Sequence, residues 1–179
     1  HRPPESDQSR RAAACFIGHC EPDREKCMQV LLEAGVQVRL GGAGWEKFVA
    51  RRSGDPRLTY LGPGVFGEAY VAEYGANAVG LGLLSKRFPE RHTTRTFEIP
   101  ACGALLATER TADTTRFFDE DEALFFDEYA DLAQRLVGLL ERPAEIQAIA
   151  ARGRRRVMED GRDYAAVLSG VLDRVGIAR

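Results

Sequence analysis

Short apolar runs, most of them closed by glycine, alternate along this chain with stretches whose apolar residues recur every three or four positions, and this alternation decides the fold class. Ala13 to Gly18 is such a run, suited to a strand buried on both faces of a parallel sheet. A helix is expected next. Between Arg24 and Ala34 the residues Cys27, Val30, Leu31 and Ala34 share one helical face, and Gly35 stands where a helix commonly ends. Val36 to Leu40 and Leu58 to Leu61 read as strands, separated by Gly41-Gly42-Ala43-Gly44 and a short helix around Trp45 to Ala50. After Gly62-Pro63-Gly64 come a helix over Glu68 to Ala76, a strand over Ala78 to Leu84, a helix over Thr96 to Cys102 and a strand over Ala104 to Thr108. A short acidic loop leads to a strand at Ala123 to Phe126 and a helix from Tyr129. Pro143 separates that helix from two more, the last with Tyr164, Val167, Leu168, Val171, Leu172 and Val175 on one stripe.

Strands that alternate with helices build βαβ units, so the expected fold is α/β: a Rossmann-like three-layer sandwich with a mostly parallel sheet. Ligands of such sheets bind outside the carboxyl ends of the strands, which singles out the loops after Gly18, Leu40, Leu61, Leu84 and Thr108. At 179 residues the chain can bury a full core without disulfides or a structural metal. The four cysteines form no C-x-x-C pair and read as reduced structural thiols. A net charge of −2 and a pI near 6.0 exclude a general nucleic-acid or anionic-membrane binder. No apolar run approaches the roughly 20 residues of a membrane span, no signal peptide is seen, and a cytoplasmic location is expected. Residues 1–12, polar and aperiodic at the start, are expected to be a linker to a domain over 13–179, in a chain that reads as a fragment.

The chemistry concentrates between Ser85 and Gly103. Lys86, Arg87, Arg91, His92 and Arg95 gather in one loop, and Thr93, Thr94 and Thr96 cluster at a helix start, where free amides favour an anion such as phosphate. Threonines also cap helices for purely structural reasons, and both readings stay open. Glu98 lies inside the first turns of that helix, where a carboxylate can accept hydrogen bonds from the two hydroxyls of a ribose. Pro100 is expected in the helix's first turn. Val65 and Phe66 are candidates to flank a nucleobase.

Glu98-Ile99-Pro100-Ala101-Cys102-Gly103 and the strand after it resemble the Glu-Ala-x-Ala-x-Gly helix of two-Rossmann-domain (GT-B) glycosyltransferases. Phe16-Ile17-Gly18-His19, Glu21-Pro22-Asp23-Arg24 and His92 to Glu98 resemble the spore-maturation CgeB-type glycosyltransferase-like proteins more closely. The resemblance implies the C-terminal, donor-binding half of a GT-B enzyme whose N-terminal acceptor domain is absent from this chain. It implies a nucleoside diphosphate sugar, UDP- or GDP-linked, as donor. Glu98 would then hold the ribose, Thr94, Arg95 and Thr96 would meet the diphosphate, and Lys86 would neutralise the leaving group. Gly18 and His19 would let the first loop approach the donor. Glu90 stands eight residues before Glu98, the Glu-x7-Glu spacing of retaining members, and with His92 it is a candidate catalytic residue.

GT-B enzymes stabilise the leaving diphosphate with Lys, Arg and amide donors, so neither a metal nor another cofactor is expected. Asp119-Glu120-Asp121 spells a metal motif but reads as a solvated acidic loop. The glycines after Leu40 lack the dinucleotide fingerprint and read as a tight turn. Arg24 could reach a phosphate or pair at the surface with Glu21 or Asp23, and Arg152 with Arg154 to Arg156 reads as a solvated basic face. Cys102 has no evident histidine partner and is not expected to be a nucleophile. Two alternatives remain: a non-catalytic nucleotide or sugar-nucleotide module, and an NAD-type oxidoreductase.

Overall fold

The computed structural model describes residues 10–161 and 173. Strand β1 is Arg11–Ile17 and helix α1 is Pro22–Glu33. Proline opens α1, where a missing N–H costs nothing. Gly35, at φ 91°, closes it by letting the amides of Gly35 and Val36 return to the carbonyls of Leu32 and Leu31. Then follow β2 (Val38–Gly41), α2 (Glu46–Arg51), β3 (Leu58–Tyr60), α3 (Gly67–Ala76) and β4 (Asn77–Gly82). The second half holds α4 (Arg95–Ala101), β5 (Leu105–Glu109), α5 (Thr114–Phe117), β6 (Leu124–Phe126), α6 (Tyr129–Leu140) and α7 (Pro143–Glu159).

Every expected strand and helix within the described residues is present, with boundaries moved by a few residues. Strand β1 starts at Arg11, which pairs with Asn77, so residues 11 and 12 are sheet and not linker. The short helix α5 was not expected; four residues give no periodicity to read. The apolar stripe from Tyr164 to Val175 lies outside the described residues.

Six strands pair in parallel in the order β3-β2-β1-β4-β5-β6. Because the sheet is covered on both sides, alternate residues of each strand face different helices. Phe16, Leu40, Leu81, Ala107 and Phe126 pack in one cluster with residues of α1, α2 and α6. Cys15, Ile17, Leu106 and Phe125 pack in the other with Tyr74 of α3, Ile99 of α4 and Val157 of α7. This is the α/β, Rossmann-like three-layer sandwich that the alternation demands. Among the described residues no helix is long and apolar enough to cross a membrane.

The sheet's amino end is chemically quiet. A shallow cavity of about 300 Å³ there is lined by Arg11, Gln37, Arg39 and Thr59 among others. Both arginines are spent on Glu73, which Arg39 grips with two nitrogens.

Candidate functional site

From β1 the chain proceeds to β2 and β3 on one side, and from β4 to β5 and β6 on the other. The loops that follow β1 and β4 therefore diverge above two neighbouring strands, at the place where such sheets take their ligands. Gly18 ends β1 against the glycine turn that follows β2. A side chain on Gly42, at φ 118°, would sit 2.2 Å from the Gly18 carbonyl, so the two loops can close on each other only with glycine there. The Gly18 carbonyl also accepts from the Trp45 indole at 2.8 Å.

Four charged groups meet in this gap. Arg24, on α1, is 4% exposed and pairs with Glu21 at 2.9 Å, while its other terminal nitrogen lies 3.8 Å from Glu90. The Arg24–Glu21 pair is therefore buried and not a surface contact. Arg95, first residue of α4, donates to the Leu83 carbonyl at 3.2 Å. Both guanidiniums lie over the Phe16 ring, at 5.6 and 5.4 Å from its centre. Burial, and next the Arg95 charge, push the Arg24 guanidinium below its usual range. The Nε atoms of both arginines and the hydroxyl of Thr93 are buried without a hydrogen-bond partner. Orphaned donors of this kind are costly unless something else, such as a bound anion, satisfies them.

Glu98 is half-buried on α4, and Tyr70 of α3 donates to its Oε2 at 2.7 Å. Among the described residues its Oε1 carries no hydrogen bond. Tyr70 stacks edge-on against Tyr74 at 4.8 Å, and burial raises its phenol far above the usual value, so it stays a donor. Sequence reasoning missed Tyr70; the only signal was its helical spacing from Tyr74. Glu90 folds back onto its own loop, accepting from the Ser85 amide at 2.7 Å.

Several expectations are corrected. Thr96 is fully buried, and its hydroxyl accepts from the Thr93 amide at 3.1 Å, which is a capping role and not a diphosphate contact. Thr94 is exposed at the helix start, with no capping bond of its own. Val65 is buried in the core beside Ile17, so it cannot flank a base, whereas Phe66 is 80% exposed. His92 is exposed, lies 3.5 Å from Asp113 and sits edge-on to Phe97 and Phe117. Lys86 is paired with Glu109 and Arg91 with Asp113, while Arg95 lies with Arg24 over the Phe16 ring. His19 is exposed, and its carbonyl accepts from Arg24 at 3.2 Å. Pro100 falls in the second turn of α4, because the helix starts at Arg95. Gly103, at φ 79°, ends it one turn later. Cys102 is pushed up to about 11 by burial first and then by Glu98, and so stays a thiol.

The chain matches the family model described as "Glycosyl transferase-like" over residues 24–172. No curated protein matches it. Among solved structures, the sucrose-phosphate synthase of Thermosynechococcus elongatus superposes with a TM-score of 0.70 at 20% identity, over 90% of this chain and 44% of that one. HepE of Anabaena, solved in complex with UDP-glucose, gives 0.71 at 14% identity, over 93% of this chain and 49% of that one. The C-terminal domain of LpcC, a glycosyl transferase group 1 family protein of Francisella tularensis, gives 0.68 at 12% identity, over 88% and 93%. The chain thus spans less than half of the first two relatives and nearly all of the isolated C-terminal domain.

Proposed function

The chain belongs to the glycosyl transferase-like family, and from that premise we propose that it is the donor-binding half of a GT-B glycosyltransferase, taking a nucleoside diphosphate sugar between the loops after β1 and β4. One observation carries the reading. The buried Nε atoms of Arg24, itself buried, and of Arg95, half-buried at the start of α4, have no partner, and on that helix Glu98 keeps one carboxylate oxygen unbonded among the described residues. Cationic donors suit a diphosphate, and a carboxylate held by Tyr70 suits a sugar diol. HepE, whose printed complexes are with UDP-glucose and with UDP, supports a uridine-linked donor.

In this reading Arg24 and Arg95 meet the diphosphate and stabilise the charge that develops on the leaving group, without a metal. Lys86 joins them by exchanging Glu109 for phosphate, and Thr94 adds a hydroxyl at the helix start. Gly18 and His19 border the donor, Phe66 stacks on the base, and Glu90 turns from the Ser85 amide toward the donor sugar. The acceptor is held by an N-terminal domain of the full-length protein. The CgeB-type assignment rests on Phe16 to His19, Glu21 to Arg24 and the block from His92 to Glu98, and the cytoplasmic location on a sequence read as having neither a membrane-spanning run nor a signal peptide.

Calorimetric titration with UDP, GDP and NAD tests the reading: a nucleoside diphosphate binds and NAD does not. Glu98→Ala weakens that binding by about 1 to 3 kcal/mol, the range for charged hydrogen bonds. NAD binding alone, or an unchanged affinity in the folded variant, removes it. Turnover by the full-length protein separates a transferase from a silent binding module.

A further inference from the structure

Glu21 occupies the helix-start position of α1, yet its carboxylate makes no bond to that helix's amides. It reaches instead across the gap. Its Oε2 accepts from the Ser85 hydroxyl at 2.9 Å and from the Lys86 amide at 3.3 Å, while its Oε1 holds Arg24 at 2.9 Å. Ser85 passes the connection on, because its oxygen accepts from the Arg87 amide at 3.1 Å. Glu21 and Ser85 are 6% and 4% exposed, so little water competes for these bonds. A carboxylate buried at this depth is stable only when its charge is matched and its lone pairs are used, and here one guanidinium and two donors do both.

We propose that Glu21 is a positioning residue for the donor site, fastening the loop after β4 to the loop after β1 and fixing Arg24 so that its unsatisfied edge faces the diphosphate. The inference rests on the donor reading above and adds to it a residue that touches no substrate. Glu21 consumes one side of the Arg24 guanidinium and fixes its rotamer. The entropy of ordering that long side chain is then spent on folding and not on binding. The same carboxylate sets the backbone of Ser85 and Lys86, from which the Lys86 side chain starts.

The test compares UDP with uridine on the unsubstituted chain and on Glu21→Gln and Glu21→Ala, with thermal unfolding as the control for folding. Glu21→Ala lowers UDP affinity roughly tenfold, the loss of one charged hydrogen bond's contribution. Glu21→Gln keeps an acceptor for Ser85 and Lys86 but loses the ion pair, and falls between Glu21→Ala and the unsubstituted chain. Uridine affinity stays within about twofold in both, a selectivity that general loosening of the fold would not produce. Should Glu21→Ala not fold, Glu21→Gln decides alone: a UDP-selective loss supports the role and no loss overturns it. Equal losses for UDP and uridine also overturn it. Failure of the unsubstituted chain to bind UDP overturns the donor reading, and this inference with it. UDP binding that survives both substitutions unchanged overturns this inference alone.

Discussion

Two clusters of arginine and carboxylate lie on this domain. In one, Arg24, Glu21, Glu90 and Arg95 crowd into the gap between the loops after β1 and β4, with Arg24 and Glu21 side chains 5% and 8% exposed. In the other, the acidic run before β6 is strapped to its neighbours: Asp119 and Glu122 to Arg156, Asp121 to Arg152, and Glu120 to Arg110. Asp119, Glu120 and Asp121 are 72%, 69% and 64% exposed. In the strap every carboxylate has an arginine, and water screens the pairs of Asp119, Glu120 and Asp121, so those contacts contribute little, while Glu122 is 14% exposed. In the gap burial strengthens every interaction, and the donors left over after internal pairing are expensive to hold. Charge alone therefore marks no site. The proposed site rests on burial combined with unspent donors.

The contrast can be broken at either end. The largest expected effect is at the gap: Arg95→Ala weakens UDP by about 2 to 3 kcal/mol, measured by calorimetry, and leaves uridine unchanged. Equal losses for both ligands would contradict a phosphate role. Next comes the backbone beneath the strap. A Cβ on Gly153 of α7 would stand 2.3 Å from the Glu122 carbonyl. Such overpacking costs about 1 to 3 kcal/mol against roughly 1 regained in helix propensity, so Gly153→Ala lowers unfolding stability by up to about 2 kcal/mol with UDP binding intact. Arg156→Ala lowers the melting midpoint slightly, and high salt removes the part that comes from the exposed Asp119 pair. Smallest is a titration. Hydrogen bonding by Arg110 holds the Glu120 carboxyl below its usual 4.5. A depressed folded value means that the pair's contribution is present above the ordinary value and lost as pH falls through the folded one. A carboxyl NMR titration of Glu120 should thus show a midpoint below 4.5 that returns to normal in Arg110→Ala.

Much of this was legible in the sequence, for reasons that individual residues make plain. The alternation of runs such as Ala13 to Gly18 with stripes such as Leu132, Leu136 and Leu139 fixes a parallel sheet, because burial on both faces leaves its mark residue by residue. The segment from Ser85 to Gly103 stood out by its basic residues and threonines, and the anion site proposed there starts from that cluster. Which of its residues face the gap was not legible, since that depends on partners distant in sequence. Thr96 turned inward to cap, Lys86 found Glu109, and His92 found Asp113. Phe66 and Val65 are neighbours of similar hydrophobicity, and only packing against Ile17 and Gly41 separates the buried one from the exposed one. The acidic run and the C-terminal arginines each read as solvated on their own. Their mutual pairing needed α7 laid beside the start of β6, a register no local pattern encodes.

The indole that grips the Gly18 carbonyl belongs to the chain's sole tryptophan, and it is fully buried. Excited selectively over the five tyrosines, this indole is a single fluorophore bonded to the loop proposed to border the donor. Any ligand that shifts that loop alters the field on the indole N–H, so occupancy can be followed in unlabelled protein by emission alone.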